Sequence, residues 1–139
     1  MSAAYFALFF TVVLLVTTAY FLMGGLPLLI LQHDTPLDGR FIHRFFEVYV
    51  KFAVFGAVGA CLSYALWGRA GFALGAAGIG ALVLFLRRRV LPAMERLGAR
   101  IQSMDGSAIP AFRKLHSSVL LLNLVQLVAL VWGVTQVSL

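Results

Sequence analysis

From Ala4 to Gln32 the chain reads AYFALFFTVVLLVTTAYFLMGGLPLLILQ, with no charged side chain anywhere in it. A helix of about 20 apolar residues crosses a hydrocarbon core about 30 Å thick, so this stretch alone can span a bilayer with some tilt. It has neither the basic start nor the small-residue cleavage pattern of a signal peptide, and we expect it to stay in the mature protein. Gly24, Gly25 and Pro27 near its end predict a kink or a re-aimed last turn.

The remainder of the chain repeats this pattern. Of 139 residues, 62% are apolar or aromatic and 12% are charged, where a soluble domain carries about a quarter charged. Such a surplus of apolar surface has to face lipid. The single cysteine, Cys61, excludes an internal disulfide. The net charge of +6 flanks the apolar runs, a pattern that fits membrane orientation, so no nucleic-acid partner is expected.

Further apolar spans are expected at about 43–67, 71–86 and 111–136, giving an all-α integral membrane four-helix bundle that occupies 1–139 as one transmembrane domain. The first polar loop runs from His33 to Arg40. Within it, Thr35-Pro36-Leu37-Asp38 offers a cap, a proline at the first helical position and an early acid, so a helix should begin there. A connector as short as Gly68-Arg69-Ala70 joins antiparallel neighbours and predicts a tight helical hairpin. Gly71, Gly75, Gly78 and Gly80 are expected to form flat surfaces for helix packing.

Beyond Arg87-Arg88-Arg89, the residues Val90, Met94, Leu97, Ile101 and Met104 recur at helical spacing among charged neighbours, which predicts an amphipathic extension over about 90–104 at the cytoplasmic surface. Asp105-Gly106 supplies a turn, and Pro110 suits the first turn of the last span. Nine basic residues, Arg40, Arg44, Arg87, Arg88, Arg89, Arg96, Arg100, Arg113 and Lys114, lie on the side of the two large loops, against Arg69 alone on the other. By the positive-inside rule both termini are then outside and the basic loops cytoplasmic, as in a bacterial inner-membrane protein.

Two polar patterns stand inside the apolar runs. His43, Glu47 and Lys51 stand four apart and form one stripe, with Lys51 about 12 Å along the helix from His43. A charge at membrane depth costs roughly 2.5 to 3.5 kcal/mol, so Lys51 either snorkels to the surface or lines a polar pocket with Glu47. In the last span Phe112, His116, Asn123 and Gln126 share a face, as hydrogen-bonding glue or as a surface meeting the first stripe, which would bring His116 near Glu47. Histidines on two helices, His43 and His116, also admit a haem, although no attachment motif accompanies them. His33, Asp34, Asp38 and His43 match no compact metal-ligand spacing, and no metal site is expected. No nucleophile motif, phosphate loop or nucleotide fingerprint is present, so neither an enzyme nor a resident cofactor is predicted.

The stretch Ala111-Phe-Arg-Lys-Leu-His-Ser-Ser-Val-Leu-Leu-Leu-Asn-Leu-Val-Gln resembles the signature helix of a membrane family known as domain of unknown function 4149, related to the transmembrane protein 205 group. The resemblance rests on Phe112, His116, Ser117, Ser118 and Asn123. Arg44-Phe-Phe-Glu-Val-Tyr-Val-Lys, with Tyr49 at a recurrent tyrosine, and Val90-Leu91-Pro92 are similar to two further stretches of that family. Glu47 departs from it. The resemblance implies a four-helix membrane fold and brings no reaction, substrate or cofactor. The expected role is a non-catalytic accessory or stabilising subunit, embedded in the bilayer beside other membrane chains in a hetero-complex or homodimer. The alternatives are a permeation element for a small solute or ion, and a haem- or metal-binding membrane protein.

Overall fold

The computed structural model describes residues 2–28 and 36–137, which contain helices and no strands. Five α-helices follow one another: α1 (Ser2–Leu28), α2 (Pro36–Leu66), α3 (Ala70–Phe85), α4 (Leu91–Gln102) and α5 (Ala108–Gln136). A single π turn, Leu86–Val90, joins α3 to α4 without a break. Four helices are thereby long and apolar enough to cross a membrane: Ser2–Gly25, Phe41–Leu66, Ala70–Ile101 and Ala108–Gln136. The end of the first expected span and the loop residues His33, Asp34 and Thr35 lie outside the described residues, as do the side chains of Asp38 and Arg40. Helix α1 continues through Gly24, Gly25 and Pro27 to Leu28, and Pro36 opens α2 at the expected place.

Hydropathy does not distinguish one face of α1 from another, because nearly every residue is apolar. Burial does. Ala4, Ala7, Thr11, Leu14, Thr18, Phe21 and Gly25 form an inward line with alternating steps of three and four, the seven-residue repeat that keeps one helix seam against its neighbours. Large side chains such as Tyr5, Phe9, Tyr20 and Met23 point outward. The inward line is mostly small, Ala4, Ala7, Thr11, Thr18 and Gly25 with Leu14 and Phe21 between them, and small residues at a seam allow the close backbone approach by which helices associate in lipid.

Helix α2 meets α1 in antiparallel fashion through Phe46, Tyr49, Ala53 and Ala60. Phe21 stacks on Tyr49 with ring centroids 4.2 Å apart. Glycines do mediate close packing, but on this interface: Gly24 lies under the ring of Phe45, Gly56 against Leu14 and Gly59 under the ring of Phe10. The expected packing glycines of α3 are not used in this way. A Cβ added at Gly71, Gly75 or Gly78 would meet nothing within 4 Å, and only Gly80 has a neighbour, Ala57 Cβ at 3.4 Å. Helix α3 instead packs on α2 through Ala73, Ala76 and Val83, and Gly71, Gly75 and Gly78 face outward.

The hairpin between α2 and α3 closes on Gly68 at φ 79°, the left-handed conformation that glycine adopts without a Cβ penalty. Arg69 N–H reaches back to Tyr64 O and Gly68 N–H to Ala65 O, closing a Schellman turn. Trp67 stacks over Tyr64, and the Arg69 guanidinium sits 5.0 Å from the Trp67 ring.

The third span does not stop at the arginines. Leu91 N–H bonds to Leu86 O, five residues back, and the helix carries on as α4. Pro92 explains the wider turn: it has no N–H to offer, and in a regular helix its ring would clash with the carbonyl four residues earlier. The expected amphipathic extension is thus the last part of one continuous rod. Its apolar side is turned inward, where Leu91, Met94 and Ile101 join Ile42, Phe46, Ala108 and Phe112 in the core.

Candidate functional site

Helix α5 presents Phe112, His116, Asn123 and Gln126 to the interior, each at most 4% exposed. Buried amides require partners, since an unmatched polar group in a low-dielectric interior costs on the order of a few kcal/mol. The partners come from α1 and α2. Asn123 Nδ2 donates to the backbone carbonyl of Thr18 at 3.0 Å, and Gln126 Nε2 donates to Thr18 Oγ1 at 3.0 Å. Tyr49 Oη donates to Gln126 Oε1 at 3.3 Å. Three helices therefore meet through one fully buried threonine of α1, two amides of α5 and the Tyr49 phenol of α2.

This junction leaves one acceptor over. Asn123 Oδ1 is buried and finds no hydrogen-bond donor among the described residues. A second link between α1 and α2 lies nearer the Trp67 end, where Thr11 Oγ1 and Tyr64 Oη are 2.9 Å apart and Thr11 also bonds to Ala7 O.

The expected stripe on α2 divides. Glu47 and Lys51 are both exposed and turn away from α5, while the α2 residue that reaches Gln126 is Tyr49, which lies between them in sequence on the opposite side of the helix. The expected approach of His116 to Glu47 is therefore not made. His43 is half-buried and faces α4, with Nε2 3.3 Å from Glu95 Oε1. Sequence reasoning passed over Thr18 and Thr11; the signal for them was their separation by seven on the line that also holds Ala4, Ala7, Leu14, Phe21 and Gly25.

Of the two histidines considered for a haem, His43 pairs with Glu95 and His116 is buried in the bundle. Among the described residues no group of three or more His, Cys, Asp or Glu side chains is placed to hold a metal ion. The junction's hydroxyls and amides can fix helix register, or orient one neutral polar group at Asn123 Oδ1.

A second feature lies toward the Trp67 end. Helix α3 packs on α2 but makes no substantial contact with α5. Between them opens an apolar groove of about 590 Å³, lined on one side by Gly71, Gly75 and Ala76 and on the other by Ala129, Trp132 and Gly133, with Thr11 and Tyr64 at its floor. Gly71 and Gly75, where an added Cβ would meet nothing within 4 Å, stand at its edge.

No protein-family model, curated protein or solved structure matches this chain.

Proposed function

We propose that the chain is a non-catalytic subunit of a larger membrane assembly, and that the groove between α3 and α5 receives a helix of a partner chain. The observation that carries this reading is the set of outward glycines, Gly71 and Gly75 on α3 with Gly133 opposite, around a cleft of about 590 Å³. Without a Cβ, such positions let a second helix backbone approach closely, which is how helices associate in lipid. The chain's own close glycine contacts lie elsewhere, at Gly24, Gly25, Gly56 and Gly59. Gly71 and Gly75 have no such use inside the monomer.

In this account the bundle spans a bacterial inner membrane with both termini outside, supported by the nine basic residues of the large loops against Arg69. The resemblance of the α5 stretch to domain of unknown function 4149 belongs to the same proposal. A permeation role ranks below it, because Glu47 and Lys51 face outward and the amides of Asn123 and Gln126 are hydrogen-bonded to Thr18.

Native mass measurement after gentle extraction, on the wild type and on a Gly75→Leu, Gly133→Leu variant, tests the proposal. The wild type should carry a partner mass beyond the 15.1 kDa of the chain, and the variant should fold yet lose it. A wild type found only at the mass of the isolated chain, or a variant that keeps its partner, would contradict it.

A further inference from the structure

Arg87, Arg88 and Arg89 are consecutive, and all three are exposed. In a regular α-helix Arg87, four residues after buried Val83, would return to the packed face. The π turn accommodates the extra residue. Leu86 and Leu91, five apart, both stay in the core, and the arginines between them are all displayed outward.

Their height in the bundle follows from the contacts on either side. Helix α2 runs antiparallel to the α3–α4 rod, with Ala57 against Gly80 and His43 against Glu95. Interpolating between those two contacts puts the π turn beside the Val48 to Lys51 stretch of α2, where Lys51 is also exposed. From there to Trp67 is about 25 Å of helix, close to the thickness of a hydrocarbon core. Trp67 and Arg69 then mark one interface and the arginines the other.

The immediate neighbours of these cations are apolar and exposed: Leu84 and Phe85 before the π turn, and Phe52 and Phe55 beyond Lys51. Glu47, four residues before Lys51 and exposed on the same face of α2, is the one acid described at this height against four cations. Among the described residues it makes no ion pair with them; His43 pairs with Glu95 and Arg100 with Asp105. A ligand that satisfies this surface must carry negative charge and hydrocarbon together, a combination offered by a phospholipid and not by a free phosphate or a nucleic acid. Guanidinium groups suit it, since each presents a planar fork of donors to phosphate oxygens.

We propose that Arg87, Arg88 and Arg89, with Lys51 beside them, bind the headgroups of anionic phospholipids, and that the π turn exists to turn all three arginines to the lipid boundary. This rests on the membrane-spanning reading of the bundle. It assigns a specific lipid site on this chain, apart from the groove and from the buried amide junction.

The full chain is incorporated into nanodiscs containing equal parts of phosphatidylcholine and phosphatidylglycerol, and the lipids that remain on the protein after disc release are counted by native mass spectrometry. The wild type should retain phosphatidylglycerol in excess. Each arginine near a charged surface contributes about a fivefold preference, so Arg88→Gln should lower the excess about fivefold, and Arg87→Gln, Arg88→Gln and Arg89→Gln together about a hundredfold. The triple lysine variant should keep most of it, and an Arg96→Gln, Lys114→Gln control should change it by less than Arg88→Gln alone. Retention of the same excess by the triple glutamine variant, or its displacement by an added oligonucleotide, would overturn the proposal. A chain that fails to enter the discs at all would overturn the membrane reading itself, and that outcome is separated from the lipid result by co-elution with the disc.

Discussion

The phenol of Tyr49 donates to the amide oxygen of Gln126 at 3.3 Å, and the amide nitrogen of Gln126 donates in turn to Thr18 Oγ1 at 3.0 Å. A single side chain thus ties α2 to α5 and α5 to α1, and Asn123 adds a second bond from α5 to Thr18 O. In lipid such bonds contribute modestly, about 0.6 kcal/mol each on average with a maximum near 1.7. Their value lies in direction. An apolar seam of Ala, Leu and Val tolerates sliding, whereas two amides set against one threonine fix the register of three helices.

Gln126→Leu should accordingly destabilise the bundle by about 1 kcal/mol, because it strands Tyr49 Oη and removes a partner from Thr18. A double-mutant cycle with Tyr49→Phe, measured by reversible unfolding in mixed micelles, should give a coupling near 0.6 kcal/mol. Lys51→Met should shift the same measurement by less than 0.5 kcal/mol, roughly the range of surface substitutions. Additive effects of the Tyr49 and Gln126 changes would show that the bond does not form.

Glycines of the two kinds should respond in opposite directions. Gly59→Ala places a methyl group against the Phe10 ring, and overpacking of that sort costs about 1 to 3 kcal/mol. Gly71→Ala and Gly75→Ala meet nothing and should stabilise the isolated chain by up to about 1 kcal/mol through helix propensity alone. Unfolding midpoints of the three variants, compared in one detergent, decide it: a loss at Gly75 equal to that at Gly59 would mean that the α3 face is packed within the monomer.

The turn after α4 repeats the Schellman geometry of the hairpin with an unsuited residue. Met104 takes φ 66° where Gly68 takes φ 79° in the other turn, and Asp105 N–H closes on Arg100 O just as Arg69 closes on Tyr64. A side chain in the left-handed region costs about 1 to 2 kcal/mol, and Met104 is 92% exposed, so it gains nothing from burial. Met104→Gly should raise stability by about 1 kcal/mol. No change, or a loss, would show that the side chain holds a contact outside this chain.

Asp105 gives the same turn a pH dependence. Hydrogen bonds from Ser107, and after them the Arg100 guanidinium with Nη2 at 2.8 Å, hold its carboxyl below the ordinary carboxylate value of 3.8. A lowered pKa stabilises the folded turn above the unfolded carboxylate range, and the contribution disappears as pH falls through the folded value. The carboxyl carbon of Asp105, followed by NMR from pH 6 down, should titrate below a carboxylate of the unfolded chain, and Ser107→Ala should move its midpoint upward. An unmoved midpoint would remove Ser107 as the main cause.

Much of the fold was legible because apolar length is a strong signal: no charge occurs between Ala4 and Gln32, and the start at Pro36 and the turn at Gly68 carry local chemistry that needs no tertiary context. What the linear pattern did not carry was rotation. His43, Glu47 and Lys51 share one face of α2, but nothing local says whether that face is inside, and the packing of Phe46, Tyr49 and Ala53 turns Glu47 and Lys51 outward. The same limit applies to α3, whose glycines are equally compatible with a buried seam and an open one. The helix runs on past the end expected for the third span at about residue 86 for a different reason: the π turn accommodates Pro92, which has no N–H to donate, and carries the chain directly into α4. The inward face of α5 was readable from Asn123 and Gln126, since amides in an apolar span seek partners. The identity of the partner, Thr18 on a helix more than a hundred residues away in sequence, was not.

The central claim is that the groove between α3 and α5 holds a helix of another chain. Site-specific photo-crosslinking in the native membrane tests it most directly, with a benzophenone side chain at Gly75 on the groove and, in a separate variant, at Val58 on the exposed face of α2. The account predicts one discrete protein adduct from Gly75 and none from Val58. Adducts of equal yield from both positions, or lipid adducts alone from Gly75, would contradict it.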